Sequence, residues 1–199
     1  MNKYLLFLFL LFFFGCAEDA PRQGYLRSDE LISRHFNNFQ IDDLETIMAF
    51  FEKKTCQTVP TTPGTAIDCY KAFSKSLSVE GSFGELDLGL PLEEQKEMMT
   101  TLRPVTYNAI WVDRNQIQTD TTAKFGLKYG GQYANFLKAF GKENEAIKQY
   151  IDVFDQVGNI TPSMIASVLL EYEKFGLENQ RGRMVLAIHY VTLNKMMDN

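Results

Sequence analysis

From residue 28 onward, apolar residues recur at intervals of three and four along most of the chain, the spacing that lines one face of a helix. Ser28-Asp29-Glu30 can cap a first helix with Leu31, Ile32, His35, Phe36 and Phe39 on one face. Asp42 or Asp43 opens a second, in which Leu44, Ile47, Met48 and Phe51 repeat. A third runs from Ala66 to Ser78 with Ile67, Tyr70, Phe73 and Leu77 aligned. The pattern fades between Val79 and Leu92, where Gly81, Gly84, Gly89 and Pro91 mark a loop. Pro91 to Leu102 restarts a helix, which Pro104 ends or bends. Residues 105–128 carry the weakest pattern. Val105 to Val112 reads either as a strand or as a helix begun by Pro104, and the helical surroundings favour the helix.

The last third is clearer. Tyr133, Phe136, Leu137 and Phe140 form a stripe ended by Gly141. Ala146, Ile147, Tyr150, Ile151 and Phe154 form another, ended by Gly158. Thr161-Pro162 supplies an N-cap and a first helical position. Ile165, Val168, Leu169 and Tyr172 follow, up to Gly176, and Met184, Val185, Ile188, Val191 and Leu193 finish the chain. Stripes that each stop at a glycine predict an all-α fold. The expectation is an antiparallel bundle of about seven or eight helices with short loops and one irregular middle segment.

The first residues follow a different rule. Lys3 precedes an apolar run, Leu5 to Phe14, of Leu and Phe only. That is a basic n-region and a short h-region of a secretory signal. It is half the roughly 20 residues a transmembrane helix needs, and Glu18 and Asp19 follow almost at once. Phe13-Phe14-Gly15-Cys16 resembles the lipobox of bacterial lipoproteins, with Phe13 where Leu is usual. The resemblance implies that residues 1–15 are a cleaved signal and that Cys16 becomes the acylated first residue. It implies more than one acyl chain, a set that holds firmly where one chain binds marginally. Ala17 is not the Asp that resembles an inner-membrane retention signal. The acidic pair Glu18-Asp19 resembles the surface-display tether of Bacteroidota lipoproteins. These features predict a protein of the cell envelope, lipid-anchored at the outer membrane on either its periplasmic or its surface face. Residues 16–27 are then a flexible tether and residues 28–199 a single helical domain.

Removing the 15 signal residues from 199 leaves 184, enough for one domain with its own core. The chain has 20 Lys and Arg against 25 Asp and Glu. The signal takes only Lys3, so 19 basic residues remain against 25 acidic, a net charge of −6. An acidic chain without a basic run argues against nucleic-acid binding, which needs Lys and Arg on phosphates. With Cys16 given to lipid, Cys56 and Cys69 remain as a pair in an oxidising compartment. They flank the turn-rich Pro60-Thr61-Thr62-Pro63-Gly64, and a structural disulfide is expected. The pair lacks the Cys-x-x-Cys spacing or added His ligands of a redox or zinc site.

No motif in the sequence marks catalytic, cofactor-binding or metal-binding residues. Two histidines are present, His35 on the first apolar face and His189 beside the last, and a lone helical histidine is more often packed than ligating. Gly81-Ser82-Phe83-Gly84 is too short for a nucleophile turn. Asp113 to Asp120 begins like a calcium loop, but Ile117 and Gln118 stand where an oxygen ligand and a glycine are needed. The carboxylate pairs Asp42-Asp43, Glu93-Glu94 and Glu143 with Glu145 could serve a glycosidase only across a cleft. Capping of helix starts suits Asp42 and Glu93 better. The eight methionines suit core filling better than copper. Tyr107, Trp111, Phe125, Tyr129 and Tyr133 could line a groove, with core packing the favoured alternative. The expectation is therefore a lipid-anchored binding or scaffolding module with an envelope protein or glycan as partner. The alternatives are an envelope hydrolase acting on glycan or peptidoglycan, and a carrier with an apolar cavity.

Overall fold

The computed structural model describes residues 26–58, 65–79, 86–113 and 125–197. Among these the fold is helical, as the stripes predict, with one small two-stranded sheet that they do not. It begins with a 3-10 turn at Leu26–Ser28, two residues inside the expected tether. Leu26 is buried in the core, its N–H donates to Glu45 Oε1 (3.1 Å), and Arg27 pairs with Asp42.

Helix α1 is short, Glu30–His35, capped by the Asp29 side chain on the Ile32 N–H (3.0 Å). The single helix expected to carry both Ile32 and Phe39 is thus broken at Phe36. The break has a local cause. Asn37 Oδ1 accepts from the Gln40 N–H (3.0 Å) while Gln40 Oε1 accepts from the Asn37 N–H (3.1 Å). This reciprocal capping box starts α2 at Asn38, and α2 runs to Thr58. Asp42 and Asp43 therefore lie inside α2 and do not open it. Phe39 leaves the apolar face, while Leu44, Ile47, Met48 and Phe51 are buried.

Helix α3 covers Ala66–Val79 and is joined to α2 by the Cys56–Cys69 disulfide (S–S 2.02 Å). Pro60 to Gly64 between them lies outside the described residues. A bridge over a separation of 13 residues contributes about 3 kcal/mol in the chain-entropy account. The double variant Cys56→Ser/Cys69→Ser is expected to lose that amount in urea unfolding, with its helical circular dichroism retained. An unchanged midpoint would count against the bridge as a structural staple.

Helix α4 is Leu92–Thr101 and α5 is Pro104–Ile110, with Pro104 in the first turn of α5. The ambiguous segment resolves into both candidates. It is helical to Ile110, then Trp111–Asp113 forms β1, antiparallel to β2 at Phe125–Leu127, with Trp111 opposite Leu127. Helices α6 (Gln132–Phe140), α7 (Glu145–Val157) and α8 (Pro162–Glu171) follow the predicted stripes. Asn144 and Thr161 cap α7 and α8 through their side chains. Gly158 and Gly176 take the left-handed conformation that ends a helix or turn. A 3-10 turn at Tyr172–Phe175 leads to the last helix, α9, Gln180–Met197.

Helix α9 is the axis of the fold. Every residue from Met184 to Asn194 is buried, and α2, α4, β2 and the Tyr172–Phe175 turn pack around it. Phe51 of α2 stacks on Tyr190 at 5.5 Å between ring centroids, and Tyr70 and Phe73 of α3 close the cluster.

Candidate functional site

The polar groups that could carry chemistry gather around α9. His189 is 1 % exposed, and its Nδ1 lies 3.1 Å from the Tyr150 hydroxyl of α7. The edges of Tyr150 and Tyr190 meet its ring at 5.6 and 5.4 Å. Its Nε2 is buried and has no hydrogen-bond partner among the described residues. Burial among these rings lowers its pKa from 6.5 to about 3, which keeps it neutral. Next along the helix, Tyr190 shares a hydrogen bond with Ser74 (3.0 Å). Trp111 Nε1 donates to Thr192 Oγ1 (2.8 Å). Gln95 of α4 donates to the Val191 carbonyl (2.9 Å) and accepts from Asn194 Nδ2 (2.9 Å). Each of these side chains fixes α9 against one neighbour, at the cost of burying a polar atom that must then stay paired.

His35 has the bland role expected of it. Its Nδ1 meets the Leu31 carbonyl (2.9 Å) and its ring meets the edge of Phe136. Of the carboxylate pairs, Asp43 is the buried member. It accepts from the Arg103 N–H (3.1 Å), from Arg103 Nη1 (2.7 Å) and from Thr106 Oγ1. It thereby holds the start of α5 from a different helix, a role that no local spacing reveals. Asp42 pairs with Arg27, Glu94 with Lys54, Glu93 with Lys96 and Glu143 with Arg181. Arg181 also reaches Asp29 (2.6 Å), which ties α9 to the cap of α1. Glu93 does lie in the first turn of α4, where an acid suits the helix dipole, but no side chain caps that helix. Asp42 lies beyond the first turn of α2 and does not serve its start.

Of the middle aromatics, Trp111, Phe125 and Tyr133 are core and Tyr129 is exposed. The half-buried Tyr107 leans on Trp111. The ammonium of Lys195 lies 4.6 Å from the Phe125 ring centre and 5.8 Å from that of Tyr107. Met48, Met98, Met99, Met164 and Met184 fill core positions.

One constellation had no signal in the sequence. Glu52 of α2, Tyr70 of α3 and Arg183 of α9 converge beside the disulfide. Glu52 Oε1 lies 3.7 Å from Arg183 Nε, and the Tyr70 hydroxyl donates to the Arg183 carbonyl (3.1 Å). Burial raises the Glu52 carboxyl above its ordinary range, against the opposing pull of Arg183 and Tyr70. Arg183 Nη1 is spent on the Leu177 carbonyl (2.7 Å). Glu52 and Arg183 form a half-buried ion pair that, with Tyr70, ties three helices, with the chemistry of a brace.

An open polar hollow of about 470 Å³ lies between the starts of α1 and α9, lined by Ser28, Asp29, Glu178, Asn179 and Gln180. No group of three or more metal-ligating side chains occurs among the described residues. Within the same residues no helix is long and apolar enough to cross a membrane. Cys16, the Gly81 to Gly84 stretch and the calcium-like residues after Asp113 lie outside the described part. Comparison with protein-family models, curated proteins and solved structures found no match.

Proposed function

We propose that this protein is a lipid-anchored module of the bacterial cell envelope, held by acyl chains on Cys16, that acts by binding or scaffolding a partner at the membrane. The observation that carries the reading is Phe13-Phe14-Gly15-Cys16, placed where the Leu and Phe run ends. The fold is consistent with it. Leu26 is already packed in the core, ten residues after the cysteine. The disulfide suits an oxidising compartment. The non-enzymatic part of the reading rests on how the reactive groups are used. His189, Asp43, Gln95 and the Glu52–Arg183 pair are each committed to contacts that hold helices together.

Expression of the full chain in a diderm bacterium, followed by mass spectrometry of its N-terminal peptide, tests the anchor. The expected peptide begins at Cys16 with its acyl chains attached, and the protein partitions into the detergent phase. Cys16→Ser is expected to leave the signal uncleaved and no acyl group attached. A wild-type N-terminus that is unacylated, at any other residue, overturns the anchor. Turnover of a cell-wall glycan by the purified chain would overturn the non-enzymatic role in favour of the hydrolase.

A further inference from the structure

We propose that the start of helix α2, with Phe39 at its centre, is the face that the anchored domain lays against the lipid headgroups; this rests on the lipid anchor at Cys16. Phe39 is 62 % exposed in the first turn of α2. The Arg103 guanidinium sits 5.1 Å from its ring centre, and Arg103 Nη1 donates to the Phe39 carbonyl (2.9 Å). Two residues beyond Arg103, Val105 is 51 % exposed. Arg103 and Thr106 both bond to Asp43, one helical turn from Phe39, so Val105 stands at the same end of α2. An exposed aromatic beside an arginine suits the boundary between headgroups and acyl chains, where the ring enters the apolar layer and the cation stays among phosphates.

One exposed phenylalanine is ordinary. What selects this one is where the chain joins the fold. Leu26 and Arg27 are fastened to Glu45 and Asp42 of the same helix, and Asp42 is one turn from Phe39 on the same side. Ten peptide steps separate Leu26 from Cys16, at most about 35 Å. The lipid therefore holds this end of α2 near the bilayer. The other large exposed apolar residues include Val157 at the end of α7 and Leu170 of α8. Among the described residues, the Leu26 N–H and the Arg27 side chain bond to α2, and neither of these helices takes one of those bonds. Insertion of two side chains is too weak to recruit a protein from dilute solution. A short tether raises the local concentration of the surface to about millimolar, where weak contacts suffice to set orientation.

The test uses the full acylated chain in vesicles of phosphatidylethanolamine and phosphatidylglycerol carrying brominated acyl chains. Phe39→Trp is compared with Leu170→Trp, and Trp111, buried in both, gives a common background. The indole introduced by Phe39→Trp is expected to be quenched about twofold and shifted to the blue, as for a side chain at the headgroup boundary. That from Leu170→Trp is expected to match its emission in unbrominated vesicles. Co-flotation with the vesicles but no quenching at position 39, or equal quenching at both positions, overturns the docking face and leaves the anchor standing. A chain that does not float with vesicles overturns the anchor and the docking face together.

Discussion

Gly182→Ala is expected to destabilise the protein by about 3 kcal/mol or more. In an ordinary helix the same change stabilises by up to about 1 kcal/mol, so the sign alone is diagnostic. Gly182 lies in the first turn of α9, and a Cβ there would meet the Phe175 carbonyl oxygen at 2.2 Å and that of Gly176 at 2.3 Å. Both obstacles are backbone. The Gly176 carbonyl already accepts from the Asn179 N–H (2.9 Å), and the Asn179 carbonyl accepts from the Arg183 N–H (3.2 Å). Relieving the clash means opening the turn that starts the axial helix. Gly126→Ala is the control, because its Cβ would meet the movable Asn159 side chain. The measurement is the urea midpoint of both variants. A Gly182→Ala protein as stable as the wild type would show that the close approach of α9 to the Tyr172–Phe175 turn is not obligatory.

That approach also shows where a hydrophobic pattern loses its power. The stripes of α6, α7 and α8 were legible because each of these helices buries one face, and polar residues mark the other. Helix α9 is buried on every side from Met184 to Asn194, so the stripe of Met184, Val185, Ile188, Val191 and Leu193 does not mark how deep the helix lies. The boundary between the first two helices is displaced because Phe36 and Phe39 keep the right spacing. That spacing carries the first stripe to Phe39 and leaves Asp42 or Asp43 to open the second helix, whereas α1 ends at His35 and α2 starts at Asn38. The capping box at Asn37 and Gln40 overrides that spacing by satisfying the backbone groups a new helix leaves free. In the middle segment the helix favoured after Pro104 is present as far as Ile110, and the strand that follows has no local mark. Ile110 ends a helix and Trp111 starts a strand because Phe125–Leu127 is available as a partner, a pairing set by residues more than a dozen positions away.

Buried polar residues were the other blind spot, and they bear on the candidate site. Asp43, Gln95, Thr106 and Asn194 are all buried, although nothing in their neighbourhoods distinguishes them from surface residues. Their value lies in specificity: an apolar core fixes depth, while directional bonds from Gln95 and Trp111 to α9 fix its rotation and height. Such contacts use up the groups that a reading by residue type would nominate for chemistry. Asp43, a candidate by its carboxylate pair, becomes a remote cap for α5. The resemblance at Cys16 was legible for the opposite reason. A signal is read by its linear order, so it needs no fold to be recognised.

His189 is expected to make the protein lose stability steeply in mild acid. Its pKa is about 3 in the folded chain, against 6.5 when free. Between those values the unfolded chain binds a proton that the folded chain refuses. Stability therefore rises with pH across the window from about 3 to 6.5, with a slope near 1.4 kcal/mol per pH unit, and is level above it. The cause is geometric. Tyr150 and Tyr190 enclose the ring, and burial is what lowers its pKa, so an imidazolium would be a desolvated charge with nothing beside it to offset the loss of water. His189→Asn retains an acceptor near the Tyr150 hydroxyl and removes the titration. Its urea midpoint between pH 4.5 and 6.5 is expected to vary less with pH than that of the wild type, by the share of one proton. It sacrifices some packing at neutral pH and regains ground as the pH falls. Parallel pH profiles for the two proteins would mean that water reaches His189 in the folded chain, and that the axis of the fold is less closed than its contacts imply.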